Sequence, residues 1–176
     1  DRISKLPHLP RISLHRPKMA DGVGLDTILI NPYPYDQKKG TCLVRSPYGP
    51  TTENLADVFV ATNGFAAVLQ DDRGTFLSGG KFDLWKTAAS DGNSTMTWIT
   101  QQPWSNGEVF TAGISADGIN EAMEVKSAPA SLKGQMWMWT TANGHEFVFD
   151  GGAYRQDVLD GYLNFMNLET HGEGKD

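Results

Sequence analysis

Cysteine is nearly missing from this 176-residue sequence: Cys42 stands alone, which excludes an internal disulfide and a cluster of thiolate metal ligands. Histidine is scarce too. His8, His15, His145 and His171 fall at no metal-ligand spacing such as two histidines four apart, so neither a metal nor a cofactor is expected. Runs of Lys and Arg are absent, and the net charge is −6. An acidic surface repels phosphate backbones and anionic membranes, so nucleic acid is not an expected partner. No apolar stretch approaches the roughly 18 residues of a membrane-spanning helix. Internal repeats and low-complexity segments are lacking as well.

What is present suits a packed domain, or part of a larger one: 39% of the residues are hydrophobic, enough to bury a core. Cys42, within Thr41-Cys42-Leu43-Val44, reads as a small core residue. Asn93-Ser94-Thr95 is a glycosylation sequon, but a chain rich in Asn, Ser and Thr holds about one by chance. It lends slight support to an extracellular setting.

Three prolines in residues 1–20 disfavour helix and suit an extended N-terminal arm. The runs Ile12 to Arg16 and Leu25 to Asn31 flank the turn dipeptide Asp21-Gly22 and predict an antiparallel β-hairpin. Thr41 to Arg45 reads as a buried strand ending at Ser46-Pro47-Tyr48-Gly49-Pro50. A helical pattern with Leu55, Val58 and Phe59 follows, closed by Asn63-Gly64, and Ala66 to Gln70 is a second buried strand. Strand, helix, strand is the unit of a parallel sheet with crossover helices. Thr75 to Asp83 reads as a loop. Leu84 to Gln102 reads as one helix, or as two with a break at Asp91-Gly92, ended by Pro103. Leu132 to Thr141 is another strand candidate, the pattern loosens beyond Asn143-Gly144, and Tyr154 to Leu168 looks helical.

One stretch carries chemistry. Gly113-Ile114-Ser115-Ala116-Asp117-Gly118 follows the apolar run Val109 to Ala112 and precedes Ile119, Ala122, Met123 and Val125 at helical spacing. A serine at a sharp strand-to-helix turn is how hydrolases hold a nucleophilic hydroxyl clear of the backbone. The usual pattern is G-x-S-x-G, and here glycine arrives one residue late, at Gly118.

Several further blocks occur in consistent order. These are Val44-Arg45-Ser46-Pro47-Tyr48-Gly49, Gln70-Asp71-Asp72-Arg73-Gly74 with Ser78-Gly79 and Phe82, Asp91-Gly92, and Trp98-Ile99 leading to Gln102-Pro103-Trp104-Ser105-Asn106-Gly107. From about Arg16 to about Gln156 the chain resembles the N-terminal catalytic region of the CocE/NonD and X-Pro dipeptidyl-peptidase family, whose nucleophile motif has the form G-x-S-Y-x-G. The late glycine thereby fits.

The resemblance implies part of an α/β-hydrolase fold: a mostly parallel sheet with crossover helices behind an N-terminal antiparallel hairpin. Residues 21–153 would form the N-terminal part of the hydrolase domain and residues 154–176 the start of a helical cap or a linker. It implies a serine hydrolase acting on a small ester, amide or short peptide. Ser115 would be the nucleophile, with the Ala116 N–H and the Tyr48 hydroxyl holding the oxyanion. Phe147 falls near an aromatic of the acyl or leaving-group pocket, or, with several aromatics close by, packs in the core. Asp117 would meet a substrate amine or simply start a helix as an exposed carboxylate. Ala116 departs from the usual tyrosine, which keeps the N–H and loses an aromatic wall. The family's catalytic Asp and His follow later than this sequence reaches, and neither His145 nor His171 fits that role. An N-terminal fragment is therefore expected, its partner the remainder of the same protein or a second chain. The alternative is an inactive hydrolase-fold module serving a structural or interaction role in an assembly.

Overall fold

The computed structural model describes residues 11–33, 38–49 and 60–170. The helix expected at Thr52 to Phe59, together with His8 and His171, lies outside them; residues 60–62 are helical and are followed by a turn at Asn63-Gly64.

Six strands form one sheet in the order β1-β2-β4-β3-β5-β6. The expected hairpin is present: β1 (Ile12–His15) runs antiparallel to β2 (Thr27–Ile30), with Ile12 opposite Ile30. β2 is antiparallel to β4 (Ala66–Asp71). From there the sheet is parallel, β4 pairing β3 (Thr41–Ser46), β3 pairing β5 (Val109–Ile114), and β5 pairing β6 (Leu132–Met138). Parallel pairs need crossovers, and helices supply them. Helix α1 (Ala88–Thr100) leads from β4 to β5, and α2 (Ala116–Glu124) from β5 to β6.

Central strands read as unbroken apolar runs because both faces are covered. Every residue of β4 is buried. Its alternate side chains enter two cores: Val68 joins Leu29, Leu43, Met96, Ile99 and Val109 on the α1 face, whereas Ala67 and Leu69 join Ile30 and Ala61 on the other. Around β3 the order reverses, β4 lying on one side and β5 on the other. Ligands in open α/β sheets bind at such a switch point, outside the carboxyl ends of the strands. The carboxyl ends here are those of β3, just before Tyr48, and of β5, just before Ser115.

Some expectations need correction. α1 is a single helix beginning at Ala88, and Asp91-Gly92 does not break it. Cys42 is half-buried rather than a core residue. The loosely patterned stretch after Asn143 holds a short helix, α3 (Gly144–Val148), and a small hairpin of β7 (Phe149–Asp150) and β8 (Ala153–Tyr154). The last helix, α4 (Gln156–Thr170), starts two residues later than the pattern suggests. No helix among the described residues is long and apolar enough to cross a membrane.

Candidate active site

β5 ends in Gly113-Ile114, and the chain turns at Ser115 with φ 57° and ψ −117° before α2 begins. An L-residue held in that region is strained by about 1–3 kcal/mol, so the surroundings must hold it. They do. The Ser115 N–H donates to the Met138 carbonyl on β6 at 2.9 Å, and its own carbonyl accepts from Ile119 on α2 at 3.2 Å. The flanking glycines permit the close approach of helix and sheet. A Cβ at Gly113 would lie 2.6 Å from the Gly118 nitrogen, and one at Gly118 would lie 2.7 Å from Thr140 Cγ2. The late glycine is thus set by the contact with Thr140.

The Ser115 side chain is exposed, while Ala116 behind it is buried. Ala116 is the first residue of α2, so its N–H belongs to the turn that has no intrahelical acceptor, at the positive end of the helix dipole. Tyr48 follows β3, its backbone N–H donating to Ser46 Oγ at 3.2 Å. Burial raises the Tyr48 phenol above its ordinary value. The Tyr162 and Ser115 hydroxyls beside it offset part of that rise. The phenol therefore keeps its proton, and its capacity to donate, across the neutral range.

Ser115, Ala116, Tyr48 and Phe147 line one cavity of about 250 Å³. Its remaining walls are largely aromatic. Trp85 and Tyr162 stack at 5.8 Å with planes 16° apart, and Trp139 lines another side. α4 also brings Phe165 edge-on to Tyr48 at 6.0 Å. Trp85 and Tyr162 escaped sequence reasoning because they lie far from the motif, at a loop and in a helix whose apolar residues read as core.

Asp117 does not line this cavity. It is half-buried under the turn, where burial pushes its carboxyl up to about 7; the Ser46 hydroxyl opposes that shift and Asp72 adds to it. Nor does either described histidine reach the cavity. His145 packs on Phe149 at 5.1 Å, and His15 hydrogen-bonds Ser13 Oγ at 2.8 Å on the opposite edge strand.

Beneath the turn lies a buried polar network that the motifs do not announce. Arg45 Nη1 donates to Glu124 Oε1 at 2.9 Å and to the Ala88 carbonyl at 2.8 Å, and its Nε donates to Gln70 Oε1 at 3.0 Å. Arg45 Nη2 stands 3.5 Å from Asp72. Asn120 Nδ2 donates to Asp72 Oδ2 at 2.8 Å and to the Arg45 carbonyl at 3.0 Å. Burial raises both the Asp72 and the Glu124 carboxyls, and Arg45 pulls each back down. The network ties α2 to β3 and β4, so the two carboxyl ends that carry Ser115 and Tyr48 are held in register. One signal was available: Asn120 and Glu124 are polar residues four apart on the α2 face that packs inward.

A mostly parallel sheet with crossover helices and buried central strands, with a strained serine between strand and helix at its switch point, defines an α/β-hydrolase fold. Solved structures agree. A CocE/NonD family hydrolase from Staphylococcus aureus superposes on 92% of this chain with a TM-score of 0.80 at 19% identity, the match covering 33% of that protein. An aminopeptidase from a marine sediment Thaumarchaeota archaeon superposes on 97% with a TM-score of 0.79 at 23% identity, the match covering 32% of it.

Within that class the chain belongs to the X-Pro dipeptidyl-peptidase (S15 family), a family of hydrolases whose model matches residues 21–175. Cocaine esterase of Rhodococcus sp. (strain MB1 Bresler) is 32% identical over 121 residues, which are 65% of this chain and 21% of the esterase. The chain thus spans about a fifth of that relative and about a third of the solved hydrolases.

Proposed function

We propose that this chain is the nucleophile-bearing part of a serine hydrolase that cleaves a small ester, amide or short peptide by acyl transfer. The observation that carries the reading is the strained Ser115, its hydroxyl in one cavity with Tyr48 and Ala116. Ser115 Oγ attacks the substrate carbonyl, and the negative charge that develops on its oxygen is met by the Tyr48 hydroxyl and the Ala116 N–H. Aromatic walls, Phe147 among them, suit an apolar acyl or leaving group. Relatives named as an esterase and an aminopeptidase support an ester or an amide as the bond broken.

A serine hydroxyl is a poor nucleophile at neutral pH without a base. The described histidines lie away from the cavity, and the relatives are several times longer than this chain. The general base and its orienting carboxylate accordingly come from polypeptide beyond the described residues, either the rest of the same protein or a second chain. Residues 21–153 then form the N-terminal part of the hydrolase domain, and residues 154–176 begin its helical cap or a linker.

The test is active-site labelling of the full-length protein with a fluorophosphonate probe. An adduct on Ser115 that is lost in Ser115→Ala supports catalysis. No adduct in the intact protein favours the other reading, a hydrolase fold kept as an inactive module.

A further inference from the structure

Helix α2 turns three carboxyl groups inward, at Asp117, Glu121 and Glu124, and among the described residues only Glu124 is paired with a cation, the Arg45 guanidinium. Glu121 is 3% exposed, and neither of its carboxyl oxygens has a hydrogen-bond partner among the described residues. Its position is specific. Glu121 Oε1 lies 2.6 Å from where a Cβ on Gly113 would stand, so the carboxyl group rests on the glycine two residues before Ser115. The helix is fixed to β6 at the same residue, Gln135 Nε2 donating to the Glu121 carbonyl at 3.0 Å. Thr111 Oγ1 on β5 and Asp117 Oδ1 one turn earlier on α2 are likewise buried without partners.

An ionised carboxylate in such a place would be buried, unpaired and beside like charges, so the group is held as the neutral acid. Burial pushes the Glu121 carboxyl up to about 8. The Thr111 hydroxyl works against that, while the Glu124 and Asp117 carboxylates add to it. A neutral carboxyl has one O–H to donate, and the Thr111 hydroxyl, which acts on this carboxyl and has no other partner, is the acceptor beside it.

Resting on the assignment of Ser115 as nucleophile, we infer that Glu121 is a positioning residue for it: its protonated carboxyl, seated on Gly113, donates to Thr111 across the β5–α2 junction and fixes the angle of the turn. Loss of that proton places an anion in the junction. The charged groups around it cannot absorb it. On α2 they are Asp117 and Glu124; β3 brings Arg45, already engaged by Glu124 and Asp72; β4 brings Asp72; and Asp91 on α1 is held by Arg73. From β5 and β6 it meets the uncharged Thr111, Gln135 and the Met136 backbone. The turn then loosens, and the Ser115 hydroxyl and Ala116 N–H lose their alignment.

The experiment is the pH dependence of fluorophosphonate labelling at Ser115 in the full-length protein, compared among wild type, Glu121→Gln and Glu121→Leu. Melting temperatures taken at each pH separate folding from alignment. Wild-type labelling is expected to fall by about tenfold as pH rises through about 8, a misalignment-sized effect. Glu121→Gln, a permanent neutral donor, should stay within about threefold of wild type at pH 6 and hold that rate at pH 9. Glu121→Leu, which fills space and donates nothing, should be slow at both. Identical pH profiles for wild type and Glu121→Gln, with labelling intact, overturn the role of Glu121 and leave the nucleophile standing. A melting-temperature change in Glu121→Leu with no change in labelling assigns Glu121 to stability alone, which also overturns it. No Ser115 adduct in any form at any pH overturns the nucleophile assignment, and this inference with it.

Discussion

Gly92, in the middle of α1, lies against the side chain of Glu124, and the space left by its missing methyl group lets Glu124 reach Arg45. A Cβ at position 92 would stand 2.6 Å from Glu124 Cγ. Through that gap Glu124 Oε1 accepts from Arg45 Nη1 at 2.9 Å, with both side chains 2% exposed. The helix before β5 and the helix after Ser115 therefore meet at a glycine, and the ion pair beneath them anchors the turn at Ser115 to β3.

Substituting Gly92→Ala tests this directly. In an exposed helix interior alanine would stabilise by about 1 kcal/mol relative to glycine. At this contact it displaces one partner of a buried pair. A buried charge that loses its partner destabilises by about 3–5 kcal/mol, and overpacking by about 1–3. The pair loss less the alanine gain is about 2–4 kcal/mol, so a loss of at least that size is expected in a denaturant titration of the full-length protein. A gain would show that Glu124 moves aside freely and that the pair does not constrain the helix.

The same glycine shows where reading the sequence stops. Asp91-Gly92 looks like a break because glycine is a poor helix former, yet its reason lies 32 residues later in Glu124, a partner that local pattern cannot reveal. By contrast β5, Ser115 and α2 were legible, because strand, turn and helix are contiguous and their apolar spacing is local. Tyr48 was legible only through resemblance; its place beside Ser115 depends on β3 lying next to β5. The surroundings of Asp117 were hidden for a related reason. Position alone marks it as a first-turn helix carboxylate; in the fold it is half-buried near the Ser46 hydroxyl and Asp72 and is not among the residues that line the cavity. The hairpin at residues 149–154 escaped notice because two-residue strands are too short to show alternation.

Asp71, the last residue of β4, gives a prediction about pH. Burial pushes its carboxyl up to about 7 from 3.8, with Asp26 and Asp72 adding to the rise. Between those two values the folded state holds a proton that the unfolded state has released. Stability is therefore highest below about pH 4, is lost progressively as pH rises to about 7, and is level beyond that for this group. Asp71→Asn has the shape of the neutral acid and does not titrate. Its melting temperature relative to wild type should climb from pH 4 to pH 7 and then stay constant. Parallel curves for the two proteins would show that Asp71 titrates at its ordinary value.

Backbone strain at Ser115 can be separated from its chemistry. With φ at 57° and ψ at −117°, the turn suits glycine better than any residue with a Cβ. Relief of strain stabilises by about 1–3 kcal/mol, and the greater freedom of glycine in the unfolded chain offsets about 0.5–1 of it. Ser115→Gly should accordingly be more stable than Ser115→Ala by about 1 kcal/mol in denaturant unfolding, while both lose the fluorophosphonate adduct. Equal stabilities would mean that the turn relaxes when the side chain is removed, and that the strain is not imposed by β6 and α2.

Tyr48→Phe distinguishes an oxyanion donor from a pocket wall. The ring would still meet Phe165 edge-on, so the shape of the cavity is preserved and only the hydroxyl is lost. Charge on the substrate oxygen exists in the transition state and not in the bound ester, so a donor aimed at it acts on kcat and leaves KM nearly alone. Removing one such donor lowers kcat by about 10²–10³. For a full-length protein assayed on a simple ester, kcat should fall by that amount with KM within a few-fold of wild type. Burial raises the Tyr48 phenol, so wild-type kcat should hold through the mildly alkaline range as far as Tyr48 is concerned. If Tyr48→Phe instead raises KM and spares kcat, Tyr48 contacts the substrate without sharing in the reaction, and the proposed oxyanion role of its hydroxyl falls.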